Sequence, residues 1–77
     1  MSFELLDIVV LTADEPAHEL KRGDLGTIVH AYEEDAFEVE FVTAAGQTKA
    51  VVTLRPDSLR RVSRNDLLSV RSLTGAA

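Results

Sequence analysis

The run Phe37-Glu38-Val39-Glu40-Phe41 alternates apolar and acidic residues without a break. That is the period-two pattern of a strand with one buried and one wet face. Upstream, Thr27 to Tyr32 are mostly β-branched, aromatic or small, as a pleated surface prefers. Glu34 and Asp35, between the two runs, read as a tight turn. Gly23 and Gly26 precede the first run, where a side chain would clash or φ must be positive. Leu20 to Phe41 is therefore read as a β-hairpin with its approach, and the rest of the chain has to close around it.

The chain has 77 residues, no cysteine and only four aromatic side chains, Phe3, Tyr32, Phe37 and Phe41. A domain of this size buries roughly 60 to 65 % of the surface its unfolded chain exposes. That leaves room for one core, built here mainly from Val, Leu and Ile. Hydrophobic residues make up 45 % of the chain, which excludes a disordered one. The lack of cysteine excludes disulfides, thiolate chemistry and cysteine-based zinc sites. Small secreted domains usually carry such staples, so a cytoplasmic location is expected. The longest apolar run, Ile8 to Leu11, is far short of the ~20 residues that cross a bilayer. The N-terminus has no charged-then-apolar signal segment, and no membrane association is expected.

In chain order, Met1 to Leu6 is a short lead whose Phe3, Leu5 and Leu6 are apolar enough to pack down. Asp7 to Thr12 reads as the first strand. Its consecutive Ile8, Val9, Val10 and Leu11 make both faces apolar, and a strand of that kind is covered on both sides. Ala13 to Arg22, with Pro16 and His18, is a polar loop pinned by Leu20. A second strand is expected over Leu25 to Glu33, with Thr27, Val29 and Ala31 on one face and Ile28, His30 and Tyr32 on the other. A third runs from Ala36 to Thr43. Ala44-Ala45-Gly46 is a hairpin loop with a glycine at the left-handed position. A fourth strand follows, from Gln47 or Thr48 to Leu54. Arg55-Pro56-Asp57-Ser58-Leu59 fits a single 3₁₀ turn, and Leu59 to Val62 a short fifth strand.

Residues 63–77 differ in character. Ser63 followed by Asp66 resembles an acidic capping box, and Leu67, Val70 and Leu73 fall on one helical stripe. A helix this short must dock or fray. Thr74 to Ala77 read as disordered. The expected organisation is a barrel over residues 1–62 and a helical or disordered tail over residues 63–77.

Five short strands, a long first loop and a one-turn helix before the last strand resemble the SH3-like barrel. The signals are Lys21 to Val29, then Phe37 to Phe41, then Leu54 to Arg60. The segment from about Leu5 to Val62 also resembles a family of small bacterial proteins classed as domain of unknown function 4926. The shared stretches are Asp7-Ile8-Val9-Val10-Leu11, Gly23 to Val29 and Glu38 to Phe41. This resemblance implies an all-β, SH3-like fold and brings no activity. The piece Gly23-Asp24-Leu25-Gly26-Thr27-Ile28-Val29 also resembles part of the KOW motif of ribosomal and transcription proteins. Turn-plus-strand geometry explains that match without RNA.

The chemistry-bearing residues are few. His18 lies beside Asp14 and Glu15, but metal sites need three or four converging ligands, and the spacing matches no such set. His30 reads as a partly buried surface residue. Glu33, Glu34, Asp35, Glu38 and Glu40 form an acidic cluster. It serves solubility and discourages edge pairing, or acts as an acidic docking face. Ser58, Ser63, Ser69 and Ser72 lack a nucleophile motif, and no phosphate-cradling glycine loop is present. No catalytic residue, cofactor or metal is therefore expected, and the chain reads as a non-enzyme.

Charge divides the chain. Residues 1–54 carry eleven acids and three bases and residues 55–77 two acids and five arginines, so the parts stand at −8 and +3 and the whole at −5. An acidic body repels phosphate backbones, which makes nucleic acid an unlikely partner. The basic end is free to meet an acidic partner or the body of its own molecule.

The apolar excess is the more informative feature. Strand faces that should meet water carry Ile8 or Val9, Val42 and Val51, and the tail adds Leu67, Val70 and Leu73. Two covers stay open: the tail folds over its own barrel, or copies of the chain pack together. The leading expectation is a self-associating protein-interaction module with candidate contacts Val42, Val51, Leu67, Val70 and Leu73 and an acidic rim at Glu38 and Glu40. An antitoxin-like or immunity-like protein covering a basic partner is one form of it. The alternatives are a KOW-like nucleic-acid module using Lys21, Arg22, Arg55, Arg60, Arg61 and Arg64, and an accessory domain of a metal enzyme.

Overall fold

The computed structural model describes residues 3–73. The disorder expected for Thr74 to Ala77 lies outside the described residues, as do Met1 and Ser2 of the lead. Five strands form one antiparallel sheet: β1 (Ile8–Leu11), β2 (Leu25–Tyr32), β3 (Ala36–Val42), β4 (Thr48–Leu54) and β5 (Leu59–Arg61). Their order across the sheet is β4-β3-β2-β1-β5. The two outermost strands, β4 and β5, are joined by only the 3₁₀ turn Pro56–Ser58 and its flanking Arg55. So short a link brings opposite edges together, and the sheet must curl into a small barrel. Leu54 and Leu59, on either side of that link, are both buried in the core. Thr12 ties the corner to β1: its N–H donates to the Ser58 carbonyl (2.9 Å) and its Oγ1 to the Asp57 carbonyl (3.0 Å). The fold is all-β and SH3-like in its strand order, as the sequence pattern implies.

The alternation of β3 places Phe37, Val39 and Phe41 inside with Val9, Leu11, Ile28, Val52 and Leu54 from the other strands. Leu20 pins the first loop to this core, as expected. The loop is more ordered than its composition implied. Pro16–His18 forms a 3₁₀ turn, with Pro16 fixing the first φ, and Glu15 and Leu20 bridge its base.

Gly26, paired with Val9 of β1, backs onto side chains of β3. A Cβ there would lie 2.5 Å from Val39 Cγ1 and 2.8 Å from Phe41 Cε1. Gly46 has φ +84° and supplies the left-handed residue of the β3–β4 loop.

Two sequence expectations are corrected. In β2, Ile28 pairs with Val39 but His30 pairs with Glu38, so Val29 is an extra, bulged residue. The bulge switches the faces: Ile28 points into the core, whereas His30 and Tyr32 share the outer face with Glu38. The lead is only partly packed. Phe3 meets Phe37 edge-on at 5.6 Å and carries the Arg61 guanidinium over its ring. Leu5 and Leu6 stay exposed, and the Leu6 N–H donates to the Ile28 carbonyl.

The tail, expected as helical or disordered, forms no helix over its described residues. Ser63 and Asp66 form one half of such a box: the Ser63 N–H donates to Asp66 Oδ2 (2.6 Å), while Ser63 Oγ accepts from the Asn65 N–H (3.2 Å) and not from that of Asp66. The Asp66 N–H closes a tight turn on the Ser63 carbonyl (3.0 Å). Half of the cap chemistry is present, and no helical turn propagates from it. Arg60 supplies the physical reason, since its guanidinium grips the Asp66 carboxylate (2.8 and 3.2 Å) and fixes the turn against β5. Residues 67–73 then run without regular secondary structure. No described helix is long and apolar enough to cross a membrane.

Candidate functional site

The outer face of the sheet is where apolar and charged groups meet solvent. The pairing register sets Ile8, Thr27, Glu40 and Val51 opposite one another across β1, β2, β3 and β4. Two residues along, Val10 stands opposite Leu25. Ile8 and Val51 are about half exposed. Val10 is only 6 % exposed yet lies outside the core cluster. Its cross-strand neighbours are Leu25 and Arg60, and the tail's Leu67 and Leu68 border the same spot.

The tail crosses from β5 over β1 towards β2. Leu67 and Leu68 line a shallow dent of about 150 Å³ with Val10, Leu25 and Arg60. Further on, Val70 and Leu73 face Leu25, Phe41 and Val42 across an open groove of about 560 Å³, with Arg22, Lys49, Arg71 and Asp24 among its walls. The tail is held there by polar groups. Arg71 Nε donates to Asp24 Oδ1 (2.8 Å), and its Nη2 donates to Asp24 Oδ2 (2.6 Å) and the Glu19 carbonyl (3.1 Å). Such a two-point guanidinium–carboxylate pair fixes direction as well as charge. Burial pushes the Asp24 carboxyl upward. The Arg71 hydrogen bond, the Lys21 N–H and the two cations outweigh that push and hold it below its ordinary value.

The tail's apolar side chains are poorly used. Leu67 is 94 % exposed and Val70 fully so. The tail is held to its barrel by the Arg71–Asp24 and Arg60–Asp66 pairs and not by a Leu67–Val70–Leu73 stripe.

Glu38 and Glu40 lie half-buried on the open part of the face. Glu38 accepts from Thr53 Oγ1 and from the Tyr32 hydroxyl (3.3 Å), and Glu40 accepts from Thr48 Oγ1 (2.7 Å). Partial burial and the neighbouring Glu38 charge raise the Tyr32 hydroxyl above its ordinary value. His30 packs edge-on to Tyr32 at 4.6 Å. The two glutamates are thus engaged across strands and do not form a loose acidic fringe.

Of the expected contact residues, Val42, Val70 and Leu73 line one groove, Leu67 lies in the adjoining dent, and Val51 stands opposite Glu40 on the same face. Among the described residues no three His, Cys, Asp or Glu side chains gather as a metal cluster. His18 is exposed, and the neighbouring Asp14 carboxylate accepts from the Arg22 N–H (2.8 Å). The arginines set aside for nucleic acid are partly occupied: Arg60 pairs with Asp66 and Arg61 with Asp7. Sequence reasoning missed Asp24 and Arg71 as partners. They stand 47 residues apart, and no local pattern links them. The surplus of arginine after residue 54 was the one available signal.

No curated protein and no solved structure matches the chain. A family match covers residues 5–61, which takes in every strand and stops short of the tail. On that match the chain belongs to the family described as Domain of unknown function (DUF4926).

Proposed function

We propose that this protein is a protein-interaction module that self-associates through the outer face of its sheet. One observation carries the reading. Among the described residues twelve large hydrophobic side chains are exposed against eleven that are buried, so the chain exposes more than its core holds. Ile8, Leu25, Val42, Val51, Val70 and Leu73 are among the exposed twelve and lie on or beside one face. Monomeric proteins rarely leave apolar surface of that extent contiguous and wet. A second copy offers the same face, as a two-fold contact requires.

The strand edges support a face-to-face contact over edge pairing. β4, an outer strand, carries a bulge at Lys49, because Phe41 pairs with Ala50 while Val42 pairs with Thr48. β5 is three residues long with two arginines. Bulges, lysines and short strands are the usual ways an edge is blunted against pairing.

Light scattering across a concentration series tests the proposal. The expected result is a mass that rises above one chain, and that falls back in Val51→Lys and Val42→Lys. Lysine at 51 stands opposite Glu40, so the fold keeps a favourable cross-strand pair while the face gains a charge. A single-chain mass at every concentration would overturn the proposal.

A further inference from the structure

We propose that Arg71 is a clasp that joins the first loop and the tail into one unit with two states. With the clasp seated, the loop between β1 and β2 is ordered. With it released, loop and tail loosen together while the barrel stays folded. The clasp lies within one chain, so it operates whether or not copies associate.

The loop is a weakly held element. It gives Leu20 to the core, but its 3₁₀ turn Pro16–His18 buries no residue. Much of the rest of its hold is polar. The Glu19 N–H donates to the Pro16 carbonyl and the Leu20 N–H to the Glu15 carbonyl (both 3.1 Å). The Lys21 N–H donates to Asp24 Oδ2 and the Arg22 N–H to Asp14 Oδ1 (both 2.8 Å). Segments with few buried apolar contacts and exposed backbone hydrogen bonds open locally before a domain unfolds. Glu19 adds strain, as a residue other than glycine in the left-handed region (φ 58°). Such a conformation persists where the surroundings fix it.

Arg71 meets this loop on both sides of Leu20. Its Nη2 donates to the carbonyl of Glu19, the strained residue (3.1 Å). Its Nε and Nη2 take the two oxygens of Asp24, and Asp24 Oδ2 is also the acceptor of the Lys21 N–H. A planar fork fixes all of these at once, which the point charge of a lysine does not. The loop has a second ion pair, Lys49 to Glu19 (2.8 Å). There the Glu19 side chain is 79 % exposed, whereas the Asp24 side chain is 16 % exposed. Exposed pairs contribute little and are screened by salt, and shielded pairs much less so. The Arg71 fork is therefore the stronger of the two holds. Loop and tail are also walls of one groove, through Arg22 and Asp24 on one part and Val70 and Leu73 on the other. The state of the clasp thus sets the shape of that groove.

Amide hydrogen exchange of the full-length chain, read by NMR, tests the proposal. Arg71→Ala is expected to speed exchange at Glu19, Leu20, Lys21 and Arg22 about tenfold or more. The order parameters of residues 69–73 should fall in the same variant, and the amides of β3 should exchange as in wild type. Arg71→Lys keeps the charge and loses the fork, and is expected to match Arg71→Ala. Lys49→Ala removes a charge from the same loop and is expected to leave its exchange close to wild type.

Unchanged loop exchange in Arg71→Ala overturns the proposal, as does a tail that stays ordered while the loop loosens. Full protection in Arg71→Lys would show that charge alone holds the loop. Equal acceleration in Lys49→Ala would remove the special role of the fork. Equal acceleration in β3 would mean that the whole barrel loosens and that no separate unit exists.

Discussion

Gly26 has no room for a methyl group, because its neighbours are Val39 and Phe41 in the middle of the core. Gly26→Ala forces those side chains off their rotamers, and overpacking of that kind costs about 1–3 kcal/mol. A domain of this length has only about 4–12 kcal/mol in total, so the loss is a large share. Urea unfolding should show a lowered midpoint with an unchanged slope. An unaltered midpoint would mean that Val39 and Phe41 give way to the methyl group without cost. The glycine was legible in the sequence as a site where a side chain clashes, since it preceded a β-branched run. Which side chains it would strike was not, because Val39 and Phe41 come from the next strand.

The tail shows how an element can carry the right local signal and still adopt another form. Asp66 makes one of the two bonds of a capping box, to the Ser63 N–H, yet the Ser63 hydroxyl takes Asn65, Arg60 claims the carboxylate and the chain leaves as an extended strap. Its attachment should depend on acid in one direction only. The Asp24 carboxyl is held below its ordinary value of 3.8 by Arg71 and Lys21. A depressed acid contributes fully above its unfolded value and loses that contribution as pH falls through its folded value. The strap should stay docked from neutral pH down to about pH 4 and loosen only below that. The Nε–H resonance of Arg71, followed by NMR through an acid titration, checks this. A transition near neutrality would hand control of the strap to a different group.

At the scale of the whole molecule, charge and apolar surface oppose each other. Two copies at −5 each repel, while their outer faces gain by leaving water. Salt screens the repulsion, with a Debye length of about 10 Å at 0.1 M and about 3 Å at 1 M. Self-association should therefore strengthen as salt rises. Binding to a basic protein or to nucleic acid would weaken instead, steeply in the second case. Sedimentation at two salt concentrations distinguishes these outcomes, and dissociation at high salt would argue against an apolar interface.

The sequence by itself determined the strands, the turns that link them and the residues of the core. Those features rest on periodicity, glycine and proline, which act over a few residues and are written in one stretch of chain. Only the tertiary structure decided the faces of β2, because a bulge at Val29 shifts the register without leaving a compositional mark. It also decided the path of the tail and the joining of Arg71 to Asp24. Those depend on two distant segments arriving at the same side of a curled sheet, and a one-dimensional pattern holds no record of that distance.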